Sequence, residues 1–130
     1  CQRNPKDNIL SIYKNYFTSG KITYASDLNN IVGYYQLYSD LMTYWNNVLP
    51  NSIYNIKYEN LILNPDSEIE KLIKECGLEW NKDFLNYHTN KRPIKTASDT
   101  QARSKIYNSS INSWIKYKKN LTPYFRGLFD

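Results

Sequence analysis

Arg3 stands where the chain turns from an extended or looped start, Cys1-Gln2-Arg3-Asn4, into a helix opening on Pro5, Lys6 and Asp7, and Ser11 lies further along that helix. Proline is tolerated in a first helical turn, and aspartate favours its positive end, so the string reads as a helix start. An anion over such a turn would meet backbone N–H groups, the positive end of the helix dipole, a guanidinium able to bind two oxygens, and a hydroxyl. That combination suits a phosphate. Taken alone, the two residues fit a surface arginine and an incidental helical serine rather better.

Two further strings hold groups of the same kind. Tyr58-Glu59-Asn60-Leu61 follows a short β-branched and aromatic run, and in open α/β sheets ligands sit beyond the carboxyl ends of strands. A Tyr58 that merely packs and a Glu59 that begins a helix is the equal alternative. The longest string is Thr96-Ala97-Ser98-Asp99-Thr100-Gln101-Ala102-Arg103, followed by Ile106-Tyr107 and Ser109-Ser110 and closed by Trp114.

In this order the three strings resemble the sulfotransferase family, which moves a sulfuryl group from 3′-phosphoadenosine 5′-phosphosulfate (PAPS) to an acceptor. Arg3-Asn4-Pro5-Lys6-Asp7 with Ser11-Ile12-Tyr13 resembles the family's 3′-phosphate-binding segment. Tyr58 to Leu61 looks like its Tyr-Glu-x-Leu at the end of a late strand, and the third string is similar to the carboxy-terminal signature of bacterial and tyrosylprotein sulfotransferases. The resemblance implies that Arg3 and Ser11 hold the 3′-phosphate of PAPS, or of its product adenosine 3′,5′-bisphosphate (PAP). Tyr58 would contact the nucleotide, and Ser98 would face the phosphosulfate. Arg103 and the start of a helix at Ser109-Ser110 would help to close the pocket. The chain departs from some relatives at Ser113, where they carry a basic residue, and at Asn15, where they carry arginine.

Sulfuryl transfer develops charge on the bridging and sulfonate oxygens and needs a base for the acceptor. In the family these groups come largely from a glycine-rich loop and a His or Glu upstream of the segment matching Arg3, and neither is in this sequence. Residues 1–130 are therefore expected to be the C-terminal portion of one P-loop-like α/β sulfotransferase domain, mostly helical with few strands and inactive alone. The expected partners are the donor nucleotide, the missing N-terminal half, and an acceptor hydroxyl or amine on a carbohydrate, peptide or small molecule, with no metal. Thr18-Ser19-Gly20-Lys21 follows a helix instead of a strand and reads as a helix end. His88, the single histidine, reads as structural or surface-lying, and Glu59, Glu68, Glu70 and Glu75 as helix ends and solvated faces.

The elements that must position these groups are mainly helices. The first is expected to run to about Phe17 with Leu10, Tyr13 and Phe17 buried, flanked by Ile9 and Tyr16. A second, capped by Asp27 and stopped by Pro50, carries an apolar face from Leu28 to Leu49. Ile53 to Tyr58 reads as a buried strand with Tyr54, Ile56 and Tyr58 on one face. Asn64, Pro65 and Gly77 punctuate the next helix, whose buried side would be Ile69, Leu72, Ile73 and Cys76. A loop region with a short helix near Phe84 follows, then a last amphipathic helix on Trp114, Tyr117 and Leu121.

Composition bounds the rest. A chain of 130 residues with formal charge +5, pI 9.1 and mean hydropathy −0.70 suits one domain, or a piece of one, with an anionic partner. No run approaches the roughly 20 apolar residues of a membrane span. Two cysteines, Cys1 and Cys76, are too few for a disulfide framework, which makes a reducing, cytoplasmic setting the expectation. Two rival readings use other residues. A nucleic-acid-binding module would draw on Lys91, Arg92, Lys116, Lys118 and Lys119 with stacked tyrosines, and a non-catalytic interaction module would use the helix from Leu28 to Leu49.

Overall fold

The structure is a computed structural model and describes residues 1–15, 17, 22–89, 106–126 and 128. The chain divides into two units, one of Cys1–Gln2 with Tyr54–Asn108, the other of Arg3–Ile53 with Ser109–Asp130.

The second unit is built on α1 (Pro5–Lys14), whose start is capped by Asn4: its side-chain oxygen accepts from the Lys6 N–H at 3.0 Å, with Pro5 at the first position. The helix ends a turn earlier than its periodicity suggests, because Asn15 is extended (ψ 131°) and closes the end through its N–H on the Ile12 carbonyl. Ile9 and Leu10 are buried, as is Asp7, whereas Tyr13, expected inside, is 46% exposed. Ile9 and Leu10 form the core of this unit with Ile31, Leu121 and Phe125. What meets them fixes the buried side of α1, and it lies nearer the helix start than the Leu10-Tyr13-Phe17 stripe.

A 3-10 turn, Thr23–Ser26, leads into α2 (Leu28–Val48). Asp27 caps it as expected, its carboxylate accepting from the Asn30 N–H at 3.0 Å. Ile31 is buried, and Leu28, Val32 and Tyr35 pack partly against the core. Beyond them the expectation of a buried face fails. Of the residues expected on that face, Tyr38, Leu41, Trp45, Val48 and Leu49 are between 37% and 52% exposed, since the core engages only the first two turns.

The C-terminal part of this unit was expected to be one amphipathic helix after Ser109-Ser110. Residues 109–112 instead form turns, and Asn112 sits in the left-handed region (φ 56°). A right-handed helix cannot run through such a residue. The segment therefore breaks into a 3-10 turn (Ser113–Tyr117), a short α5 (Lys118–Leu121) and a 3-10 turn (Thr122–Phe125). Leu121 and Phe125 reach the core from these pieces.

In the other unit the expected strand Ile53 to Tyr58 is not formed. Its backbone makes one parallel bridge, Gln2 with Lys57: the Gln2 N–H donates to the Ile56 carbonyl at 2.8 Å and the Tyr58 N–H to the Gln2 carbonyl at 2.7 Å. A parallel strand needs partners along its length, and among the described residues nothing else pairs with it. Ile56 is buried, but Tyr54 is 39% exposed and Tyr58 opens a helix, so the three do not share a buried face. α3 (Tyr58–Leu63) and α4 (Pro65–Glu75) follow. α4 has Asn64 at its cap and Pro65 at its first position, and Gly77 beyond its end adopts φ 68°, the conformation that glycine enters without penalty. Ile69, Leu72 and Ile73 are half-buried, while Cys76, expected on the same side, is exposed. The helix foreseen near Phe84 is a 3-10 segment, Lys82–Thr89. The described chain is thus mostly helical with almost no strand.

Candidate anion-binding site

The start of α1 is the most constrained polar region of the unit that contains it. Arg3, half-buried just before the cap, donates from Nη2 to the Ser110 carbonyl at 2.9 Å. A guanidinium is a rigid planar fork, so an anchored N–H narrows the orientations open to the whole group. Ser11 is also half-buried. It stands in the second turn of α1, about 9 Å along the axis from Pro5 at 1.5 Å per residue, and so not at the helix mouth itself. An anion shared by Arg3 and Ser11 would lie along the flank of α1, with the arginine arm spanning part of that length.

Asp7 is the residue that sequence reasoning undervalued. It was read only as a partner of the helix dipole, yet it is fully buried and accepts three hydrogen bonds from one short segment. Oδ2 accepts from the Asn112 N–H at 2.7 Å, and Oδ1 from the Ser113 hydroxyl at 3.0 Å and the Trp114 N–H at 2.9 Å. A buried carboxylate is tolerable only when its lone pairs are satisfied in this way. The partners lie more than a hundred residues away in sequence, and no periodicity in one sequence reports such a pairing. Lys6 adds a third tie, its Nζ lying 4.6 Å from the centre of the Trp114 ring, which in turn meets Phe125 edge-on at 6.1 Å. This is cation–π geometry.

Other expected site residues are distributed as follows. Tyr58 is half-buried at the first position of α3, in the other unit. Ser98 and Arg103 lie outside the described residues, with Lys91, Arg92 and the Thr18-to-Lys21 string. His88 belongs to the 3-10 segment Lys82–Thr89, and its side chain also lies outside what is described. Glu68, in the first turn of α4 and half-buried, pairs at 2.8 Å with the exposed Lys71. This pair raises the Lys71 pKa, chiefly through the hydrogen bond. Ser109 and Ser110 sit in turns instead of starting a helix, but Ser110 is engaged by Arg3. An open cleft of about 470 Å³ at the far end of α1, lined by Tyr13, Lys14, Asn15, Phe17 and Ser26 among others, includes none of the anion-binding candidates. Among the described residues no group of His, Cys, Asp or Glu is placed to hold a metal. No described helix is long and apolar enough to cross a membrane.

These features define a helical protein whose elaborated element is a capped helix start bearing a fixed guanidinium, the kind of helix end at which anions bind. The chain belongs to the sulfotransferase family, whose model matches residues 1–82. The matched region takes in Arg3, Ser11 and Tyr58 and ends before Ser98 and Arg103. The chain is also 36% identical over 124 residues to a protein of Aquifex aeolicus (strain VF5) described as uncharacterized; the match covers 94% of this chain and 16% of the relative. This chain therefore corresponds to a small part of that protein. No solved structure matches.

Proposed function

We propose that the chain supplies the 3′-phosphate-binding part of an enzyme that transfers a sulfuryl group from PAPS to an acceptor hydroxyl or amine. The observation that carries this reading is the family match over residues 1–82, within which Arg3 immediately precedes the Asn4 cap of α1 and Ser11 lies in the second turn of that helix. A half-buried guanidinium, already oriented by a backbone carbonyl, suits a phosphate monoester, because a preset fork loses little freedom on binding two oxygens.

PAPS supplies an activated sulfuryl group whose bond to the bridging phosphate oxygen breaks as sulfur bonds to the acceptor atom. In this reading Arg3 and Ser11 hold the 3′-phosphate, Tyr58 lies against the nucleotide, Ser98 faces the phosphosulfate and Arg103 helps to close the pocket. Binding energy gathered at the 3′-phosphate is remote from the reacting sulfur and would position the donor. The base and the donors for the developing charge come from the remainder of the domain, in a P-loop-like α/β sheet to which this chain adds its helices. The chain by itself is expected to bind without turnover.

PAP should raise the melting temperature of the chain, since a ligand that binds only the native state stabilises it by mass action. Arg3→Ala should remove the shift. Salt-sensitive binding to an oligonucleotide with no response to the bisphosphate would instead support the nucleic-acid reading. The interaction-module reading draws on the apolar residues of α2 from Leu37 to Val48, among which Leu37, Leu41, Tyr44 and Val48 are 49% to 66% exposed. Concentration-dependent sedimentation without PAP binding would favour it.

A further inference from the structure

Asp7 and Arg3 act on the same stretch of chain from the same end of α1. Asp7 grips Asn112, Ser113 and Trp114 with its three accepted hydrogen bonds, and Arg3 donates to the carbonyl of Ser110, two residues earlier. The first residue of the Asp7 grip, Asn112, is held at φ 56°. Asparagine enters that region more readily than other non-glycine residues, and the Asn112 N–H is itself one of Asp7's donors. The position of the Ser110 carbonyl therefore depends on a turn that Asp7 holds, and that carbonyl is one of the groups that orient the Arg3 guanidinium.

We infer that Asp7 is a positioning residue for anion binding: through the 112–114 segment and the Ser110 carbonyl, it sets the orientation in which Arg3 meets the 3′-phosphate. The inference rests on the proposed function for the identity of the anion. It assigns Asp7 no contact with the ligand. A carboxylate close to a bound phosphate would repel it, and here all three observed partners of Asp7 belong to the protein's own C-terminal segment. Its negative charge is met by two N–H groups and a hydroxyl of that segment.

The test compares adenosine 3′,5′-bisphosphate with adenosine 5′-monophosphate, both titrated calorimetrically into the unaltered chain, Asp7→Asn, Ser113→Ala and Arg3→Ala. The ratio of the two dissociation constants isolates the 3′-phosphate, and a loss of folded protein alone would weaken both ligands together and leave the ratio unchanged. Asp7→Asn places an amide N–H where an acceptor is required, so the ratio should fall on the order of tenfold, about one charge-assisted hydrogen bond. Ser113→Ala removes one bond of three and should lower it by a smaller factor, on the order of threefold. A folded Asp7→Asn that keeps the full 3′-phosphate preference overturns the inference. Should Asp7→Asn not fold, Ser113→Ala decides: a lowered ratio sustains the inference and an unchanged one overturns it. If the unaltered chain shows no preference for the bisphosphate, the proposed function fails and the inference goes with it. If the preference is present and lost in Arg3→Ala but kept in the other two variants, the function stands and only the role of Asp7 is lost.

Discussion

A carboxylate shut off from water must find donors, and the way Asp7 finds them ties the first helix of the chain to its last fifth. Removing one member of such a network leaves buried N–H groups unsatisfied, so Asp7 governs stability as well as orientation. A second residue-scale effect concerns Tyr35, half-buried on α2. Desolvation, with the neighbouring Tyr38 as a smaller cause, raises its pKa above the ordinary tyrosine value. Below pH of about 10 the phenol is neutral in both folded and unfolded chains and contributes no pH dependence. Above that value the unfolded chain gives up the proton first, so stability falls with rising pH until the folded-state pKa is passed. Tyr35→Phe lacks this loss, and the stability difference in its favour should widen between pH 9 and 11 in urea titrations. A constant difference would show that the phenol titrates alike in both states.

Among the elements, α2 divides into a half that holds the core and a half that does not. Ile31 is 1% exposed and Leu37 is 66% exposed on the same helix. Ile31→Ala should lower unfolding stability by about 2–4 kcal/mol through lost burial and the cavity left behind, while Leu37→Ala should stay within about 0.5 kcal/mol. Equal costs in urea denaturation would mean that the far half of α2 is packed against something in solution. The alternation of apolar residues at three and four over the whole helix does not distinguish the two halves, because an exposed seam and a buried one have the same period.

On the scale of the molecule, the described residues contain very little sheet. The Gln2–Lys57 bridge is a single rung of a parallel ladder, and parallel sheets are stable when extended and covered on both faces. In hydrogen exchange on the isolated chain, the amides of Gln2 and Tyr58 should exchange much faster than those of Ile9 and Leu10, which lie in α1 with buried side chains, because local opening of one rung costs little. Comparable protection would mean that the chain completes its own sheet. Among the described residues nothing beyond that bridge pairs with Ile53 to Tyr58: the residues have strand propensity, but a strand is defined by its neighbours.

The amino-acid sequence by itself determined the helix start at Pro5, the Asp27 cap and the left-handed Gly77, one boundary on each of three helices, because caps and breakers act on their own backbone within a few residues. It also carried the family, since Arg3, Ser11 and Tyr58 are recognisable from type and spacing within the matched segment. Only the tertiary structure decided which side of α1 is buried, where α2 leaves the core, why the last helix breaks at Asn112, and that Asp7 holds the segment on which Arg3 rests. Those outcomes depend on which distant groups come into contact, and the hydrogen-bonding needs of a buried carboxylate or an unpaired strand say that a partner must exist without saying where along the chain it lies.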